Sequence, residues 1–167
     1  MDHRMTTPAV AVVHDTVVLE RRFSVRRATV FAAFADAAQR ALWCFPGDDW
    51  ELTSFSQDFR VGGREESRFG PKGAPTLHDV GTFLDIVPDH RIVSAGTMHE
   101  NGVRISLTLC TFEFISEPGE VTRLRLTDQS AFLDGRERPD ERRQGWGRIL
   151  ERLSAGPDPI QWTVSLS

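Results

Sequence analysis

The sequence predicts an α+β domain: one antiparallel sheet, two short helices after the first strand, and one long helix near the C-terminus. Three observations carry this. Short segments of β-branched and aromatic residues succeed one another from Trp50 to Thr127, separated only by brief turns, and consecutive short connections join antiparallel neighbours. Between residues 27 and 43, apolar residues recur at helical rather than strand spacing. Near the C-terminus, Trp146, Ile149, Leu150 and Leu153 fall at i, i+3, i+4 and i+7, one apolar stripe on a helix.

Residues 1–9 lack a periodic pattern and are expected to form a flexible tail. The domain is expected over 10–155, followed by an extension over 156–167. The first strand is expected at 16–23, with Val17, Leu19 and Phe23 on one face and Arg21 interrupting it. Val30, Phe31 and Phe34 define a helix over 27–35, with Ser24 as a nearby cap, and a second helix fits 37–43. Phe45-Pro46-Gly47-Asp48-Asp49 stops it.

Strands are then expected at 50–59, 64–69, 78–86, 91–98, 103–115 and 121–127. Gly70-Pro71-Lys72-Gly73-Ala74-Pro75 is a loop by its turn chemistry, and Asn101-Gly102 is a hairpin signal because both positions tolerate positive φ. Gly62-Gly63, between strand-like segments, marks a bulge or tight bend. Pro139 suits the first turn of the last helix, expected over 140–153, where Gly145 and Gly147 each cost roughly 1 kcal/mol against alanine and so suggest close packing or room for a ligand. Arg142 and Arg143, offset by Glu137, Asp140 and Glu141, read as a solvated helix face. The alternating residues 160–166 are compatible with an added edge strand.

Composition narrows the function classes. A net charge of −4 argues against nucleic-acid binding, which needs a positive face. No apolar run reaches membrane-spanning length and the N-terminus lacks a signal-peptide layout, so a cytoplasmic protein with no membrane partner is expected. Cys44 and Cys110 lie in apolar surroundings without metal-ligand spacing, and are expected to be buried free thiols. The five histidines form no motif, and there is no HExxH helix, GxSxG elbow or phosphate loop. Catalytic residues, metal and cofactor are therefore expected to be none, and a homodimer is compatible with the sequence.

The ordered series Asp58-Phe59-Arg60-Val61-Gly62-Gly63-Arg64-Glu65, Gly81-Thr82-Phe83-Leu84-Asp85-Ile86-Val87-Pro88, Arg91-Ile92-Val93, Thr127 to Gly135 and Gly145-Trp146 resembles the START-like, or SRPBCC, superfamily. Within it, the chain is most similar to the bacterial branch related to the activator of heat-shock protein 90 ATPase homologue domain, from about Thr16 to about Leu153. The resemblance implies the helix-grip fold, a curved sheet wrapped around the last helix, with either a packed core or an apolar ligand cavity between them. It makes residues 10–155 a START-like domain and names a small hydrophobic or aromatic ligand as the expected partner. Alternatives within the same resemblance are a polyketide cyclase-like or hydrolytic enzyme using the same cavity, and a modulator of a chaperone ATPase.

Candidate ligand contacts on the helix are Trp146, Ile149 and Leu150, with Leu153 on the same stripe. From the sheet come Phe83, Met98, Thr108, Cys110 and Phe112, while Trp43 and Phe45 would close one end. Strand 103–115 is apolar on both parities, so its inward face stays open. Asp128 continues the face of Leu124 and Leu126 and would point at the helix, where a carboxylate needs a partner such as Arg64, Arg68 or a histidine. Asp128 and Gln129 are the candidate polar anchors.

Overall fold

The computed structural model describes residues 10–155 and the backbone of Val164–Ser165. The elements are β1 (Val12–Phe23), α1 (Arg27–Ala35), α2 (Ala37–Trp43), β2 (Trp50–Gln57), β3 (Arg64–Pro71), β4 (Leu77–Val87), β5 (Arg91–Glu100), β6 (Val103–Glu117), β7 (Val121–Leu133), α3 (Pro139–Ala155) and β8 (Val164–Ser165). The strands form one antiparallel sheet in the order β2-β3-β4-β5-β6-β7-β1-β8. The chain thus meanders from β2 to β7 and returns beside β1, so α1 and α2 carry it from β1 across to β2 at the far edge of the sheet. This is the helix-grip arrangement.

Both short helices and the start of α3 near Pro139 lie where the sequence places them. Ser24 is not the cap of α1: Arg26 holds that position without a side-chain cap bond. Helix α2 is capped by Asp36, whose carboxylate accepts from the Gln39 N–H at 2.9 Å. The Asn101-Gly102 turn has φ of 49° and 79°, the conformation that such a hairpin requires.

Strands β3 to β6 run one or two residues past their expected ends, and β1 and β7 run much further. β1 starts at Val12 and β7 continues to Leu133, because the two pair in unbroken register from Val12↔Leu133 to Phe23↔Thr122. β2 stops at Gln57, because Asp58–Gly63 forms a turn of its own. There Gly62 has φ of 83°, and a Cβ on Gly63 would lie 1.9 Å from the Asp58 carbonyl oxygen. The Gly62 N–H donates to the Phe83 carbonyl at 2.8 Å, and the Phe83 N–H to the Gly63 carbonyl at 2.9 Å, so the turn is laced onto β4.

Register shifts at Leu52/Ser54, Phe83/Asp85 and Met98/His99 bend the sheet. Its concave side holds the core: Phe23, Phe34, Phe112, Phe114, Leu124 and Leu126 pack against Leu150 and Leu153 of α3. Strand β6 resolves its parity here, with Cys110, Phe112 and Phe114 buried while Leu107 and Leu109 face outward at 40% and 38% exposure. Gly145 and Gly147 do not serve close packing, since a Cβ on either would meet nothing within 4 Å.

Candidate functional site

Between α3 and the sheet from β3 to β7 the core does not close. A cavity of about 470 Å³ remains, within the range of small-molecule sites. Antiparallel register explains its floor. Phe83, Ser94, Cys110 and Asp128 are successive cross-strand partners, as are Glu65, Gly81, Gly96 and Thr108, and Ser67, Asp79 and Met98. All these side chains line the cavity. At the Gly81↔Gly96 pair the floor carries no side chain and the two strands approach closely: a Cβ on Gly96 would lie 2.4 Å from the Val80 carbonyl oxygen.

Of the expected contacts, Phe83, Met98, Thr108, Cys110, Phe112, Asp128, Trp146 and Ile149 line the cavity. Four do not. Trp43 is core: its ring meets Phe34 at 4.7 Å and its Nε1–H donates to the Ala33 carbonyl at 3.0 Å. Phe45 lies instead under the Arg152 guanidinium, 4.2 Å from its carbon. Leu150 is fully buried in the packed part of the helix face. Gln129 is exposed, because alternation along β7 turns it to the convex side, opposite Asp128.

Asp128 points inward as alternation requires, but its partner is none of Arg64, Arg68 or a histidine. It is Arg142, whose Nη1 donates to Asp128 Oδ2 at 3.0 Å and to Thr108 Oγ1 at 2.9 Å. Nη2 of Arg142 donates to Ser106 Oγ at 2.7 Å, and both Nε and Nη2 donate to the Glu137 carboxylate. Trp146 Nε1 donates to Asp128 Oδ2 at 2.7 Å, and Ser130 Oγ donates to Asp128 Oδ1. Burial opposes the charge on Arg142, but Glu137 and Asp128 more than offset it and raise its pKa. The expectation of a solvated face therefore holds for Arg143, which is exposed, and fails for Arg142, whose side chain is 12% exposed. The arrangement is a polar latch from α3 to β6 and β7, with the Asp128 oxygens engaged by the protein itself.

A second polar group on the cavity wall was not anticipated. Arg40 of α2 donates through Nη2 to Glu65 Oε1 at 3.2 Å and lies over the Trp43 ring, 4.3 Å from its centre. Burial opposes the Arg40 charge, yet Glu65 raises its pKa overall. Beside them, Asp79 is pushed up to about 6, first by burial and then by Glu65. Arg142 is recoverable from sequence, being four residues before Trp146 on the same helical stripe, and Asp79 alternates in phase with Gly81 and Phe83. Nothing local marks Arg40.

Both cysteines are free, and burial pushes Cys44 up to about 11 and Cys110 well above its ordinary value, so both stay thiols at neutral pH. Among the described residues no His, Cys, Asp and Glu cluster could hold a metal ion, and no helix is long and apolar enough to cross a membrane.

Residues 24–156 match the family model described as Activator of Hsp90 ATPase homolog 1-like protein. The chain belongs to this family. A solved Rhizobium loti protein is 41% identical, with a TM-score of 0.78 over 87% of this chain and 98% of that one. A Rhizobium leguminosarum protein is 32% identical, with a TM-score of 0.80 over 87% and 95%. An HSP90 activator from Plasmodium falciparum is similar in fold alone, at 21% identity and a TM-score of 0.62 over 90% and 99%. No curated protein matches the chain. Family membership gives the helix-grip frame.

Proposed function

We propose that this domain of the activator-homologue family binds a small, largely apolar or aromatic molecule between the sheet and α3. The carrying observation is the 470 Å³ cavity itself. It lies beside a fully packed core, so the space is a local feature and not general looseness. Its wall combines an apolar part, with Phe34, Phe59, Phe83, Phe112, Ile92 and Trp146, and a charged part that includes Arg40, Glu65, Asp79, Asp128 and Arg142, so an occupant meets apolar surface together with polar groups that orient it. Ligand binding without covalent chemistry suits a wall whose thiols are protonated and whose histidines lie elsewhere.

A melting screen of the whole chain against fatty acids, flavonoids, polyketides and sterols tests this, together with native mass spectrometry of freshly purified protein. A ligand at a hundred times its dissociation constant stabilises the fold by about 2.7 kcal/mol, a rise of several degrees. No shift with any class, and no retained small molecule, would overturn the proposal.

A further inference from the structure

The polar groups on the cavity wall divide into those that are engaged and those that are not. Asp128 accepts from Arg142, Trp146 and Ser130, and Glu65 accepts from Arg40. Asp79 is different: among the described residues no hydrogen bond reaches its carboxylate, although it lines the cavity. Arg40 Nη1 is likewise buried without a partner, while Nε and Nη2 of the same guanidinium hold Glu65.

These two unmet groups are neighbours. Glu65 pairs with Gly81 and Asp79 with Ser67, so Glu65 and Asp79 are diagonal neighbours on the concave face of β3 and β4, within reach of one guanidinium. Arg40 and Asp79 act electrostatically on each other. The charged groups acting on Asp79 are Glu65 from β3, Arg142 from α3, Arg40 from α2 and His78 beside it on β4. Gly81 and Gly96, next along β4 and β5, present backbone without side chains at the cavity wall, where a flat ring can lie.

We propose that Asp79 and Arg40 Nη1 form the recognition point of the cavity for a planar ligand that carries an N–H or O–H donor beside a carbonyl acceptor, such as a lactam edge. The ligand donor bonds to the Asp79 carboxylate and its carbonyl accepts from Arg40, while the ring lies over Gly81 and Gly96 against Phe83 and Met98. The inference rests on the cavity being a binding site and adds the chemical class of the occupant. Asp79 is half-buried and an occupant of the cavity strips the remaining water from its carboxylate, so a ligand that supplies the missing donor gains relative to one that does not. Above the Asp79 pKa of about 6 the carboxylate is the ionised acceptor that this pairing requires.

The test is calorimetric titration of the whole chain at pH 7.5 with three bicyclic probes: 2-quinolinone, N-methyl-2-quinolinone and naphthalene. The expected result is at least tenfold tighter binding of 2-quinolinone than of its N-methyl analogue, with the difference erased in Asp79→Leu. Equal binding of all three probes would overturn the Asp79 inference and leave the cavity standing. Binding of none would overturn the Asp79 inference as well, while the cavity proposal stands or falls by the melting screen. A structure of the 2-quinolinone complex with its N–H placed away from Asp79 would also overturn the inference, whatever the folding of the variant.

Discussion

Arg142 on α3 and Asp128 on β7 meet at 3.0 Å across the seam between helix and sheet, with the Asp128 side chain fully buried. Glu137, Ser106, Thr108, Ser130 and Trp146 complete their bonding, so the pair is a satisfied network and not an isolated charge contact. Breaking such a pair from one side leaves the other charge buried and uncompensated. Arg142→Met is expected to cost about 3–5 kcal/mol in urea unfolding, with part recovered when Asp128→Leu is added. A loss below about 1 kcal/mol for Arg142→Met would show a side chain at the surface.

The reach of the sequence follows from what kind of signal each element offers. Helix α1, helix α2 and the Asn101-Gly102 hairpin were legible because spacing and turn chemistry are local. The inward face of β6 was not, since Leu107 and Leu109 are as apolar as Cys110 and Phe112, and only pairing with β5 and β7 separates them. At the site, Phe83, Met98, Trp146 and Ile149 were legible from strand alternation and helical spacing, whereas Phe34, Phe59 and Phe69 were not, since nothing local separates them from packed core. The charged wall was not: Arg40, Glu65 and Asp79 come from three elements, and a charged residue alone reads as solvent-facing until register brings its partners together.

Gly62 and Gly63 are needed for different reasons, and the difference is measurable. Gly62 sits at φ of 83° with open space around its Cβ position, so alanine there bears the left-handed backbone penalty, about 1–2 kcal/mol. Gly63 has no such φ, but a Cβ would overlap the Asp58 carbonyl at 1.9 Å and force the turn off β4. Chemical denaturation is expected to rank Gly63→Ala as the more damaging change. The reverse order would refute this account of the turn.

Asp79 gives the protein a pH dependence whose sign is fixed by the direction of its shift. Its folded pKa is raised from 3.8 to about 6, so between those values the folded chain binds a proton that the unfolded chain has released. Stability from this group is therefore highest near pH 4 and falls as pH rises to about 6, staying low above. Asp79→Asn removes the cost of the buried charge, and is expected to stabilise the protein by roughly 1–3 kcal/mol at pH 8 and not at all below about pH 4. Urea unfolding of both proteins across that range checks it. A gain that is the same at both ends would mean that ionisation of Asp79 is not its source.

Gly145 and Gly147 separate helix stability from cavity volume. Neither Cβ would meet anything within 4 Å, so alanine at either position is expected to stabilise α3 by up to about 1 kcal/mol. Only Gly145 lines the cavity, with Trp146 and Ile149 beside it. Gly145→Leu therefore projects a side chain into the ligand space, whereas Gly147→Leu does not. Thermal melts are expected to show both leucine variants folded, and titration with 2-quinolinone to show binding weakened at least tenfold by Gly145→Leu alone. Equal weakening by both, or by neither, would place the ligand somewhere other than the space between the sheet and α3.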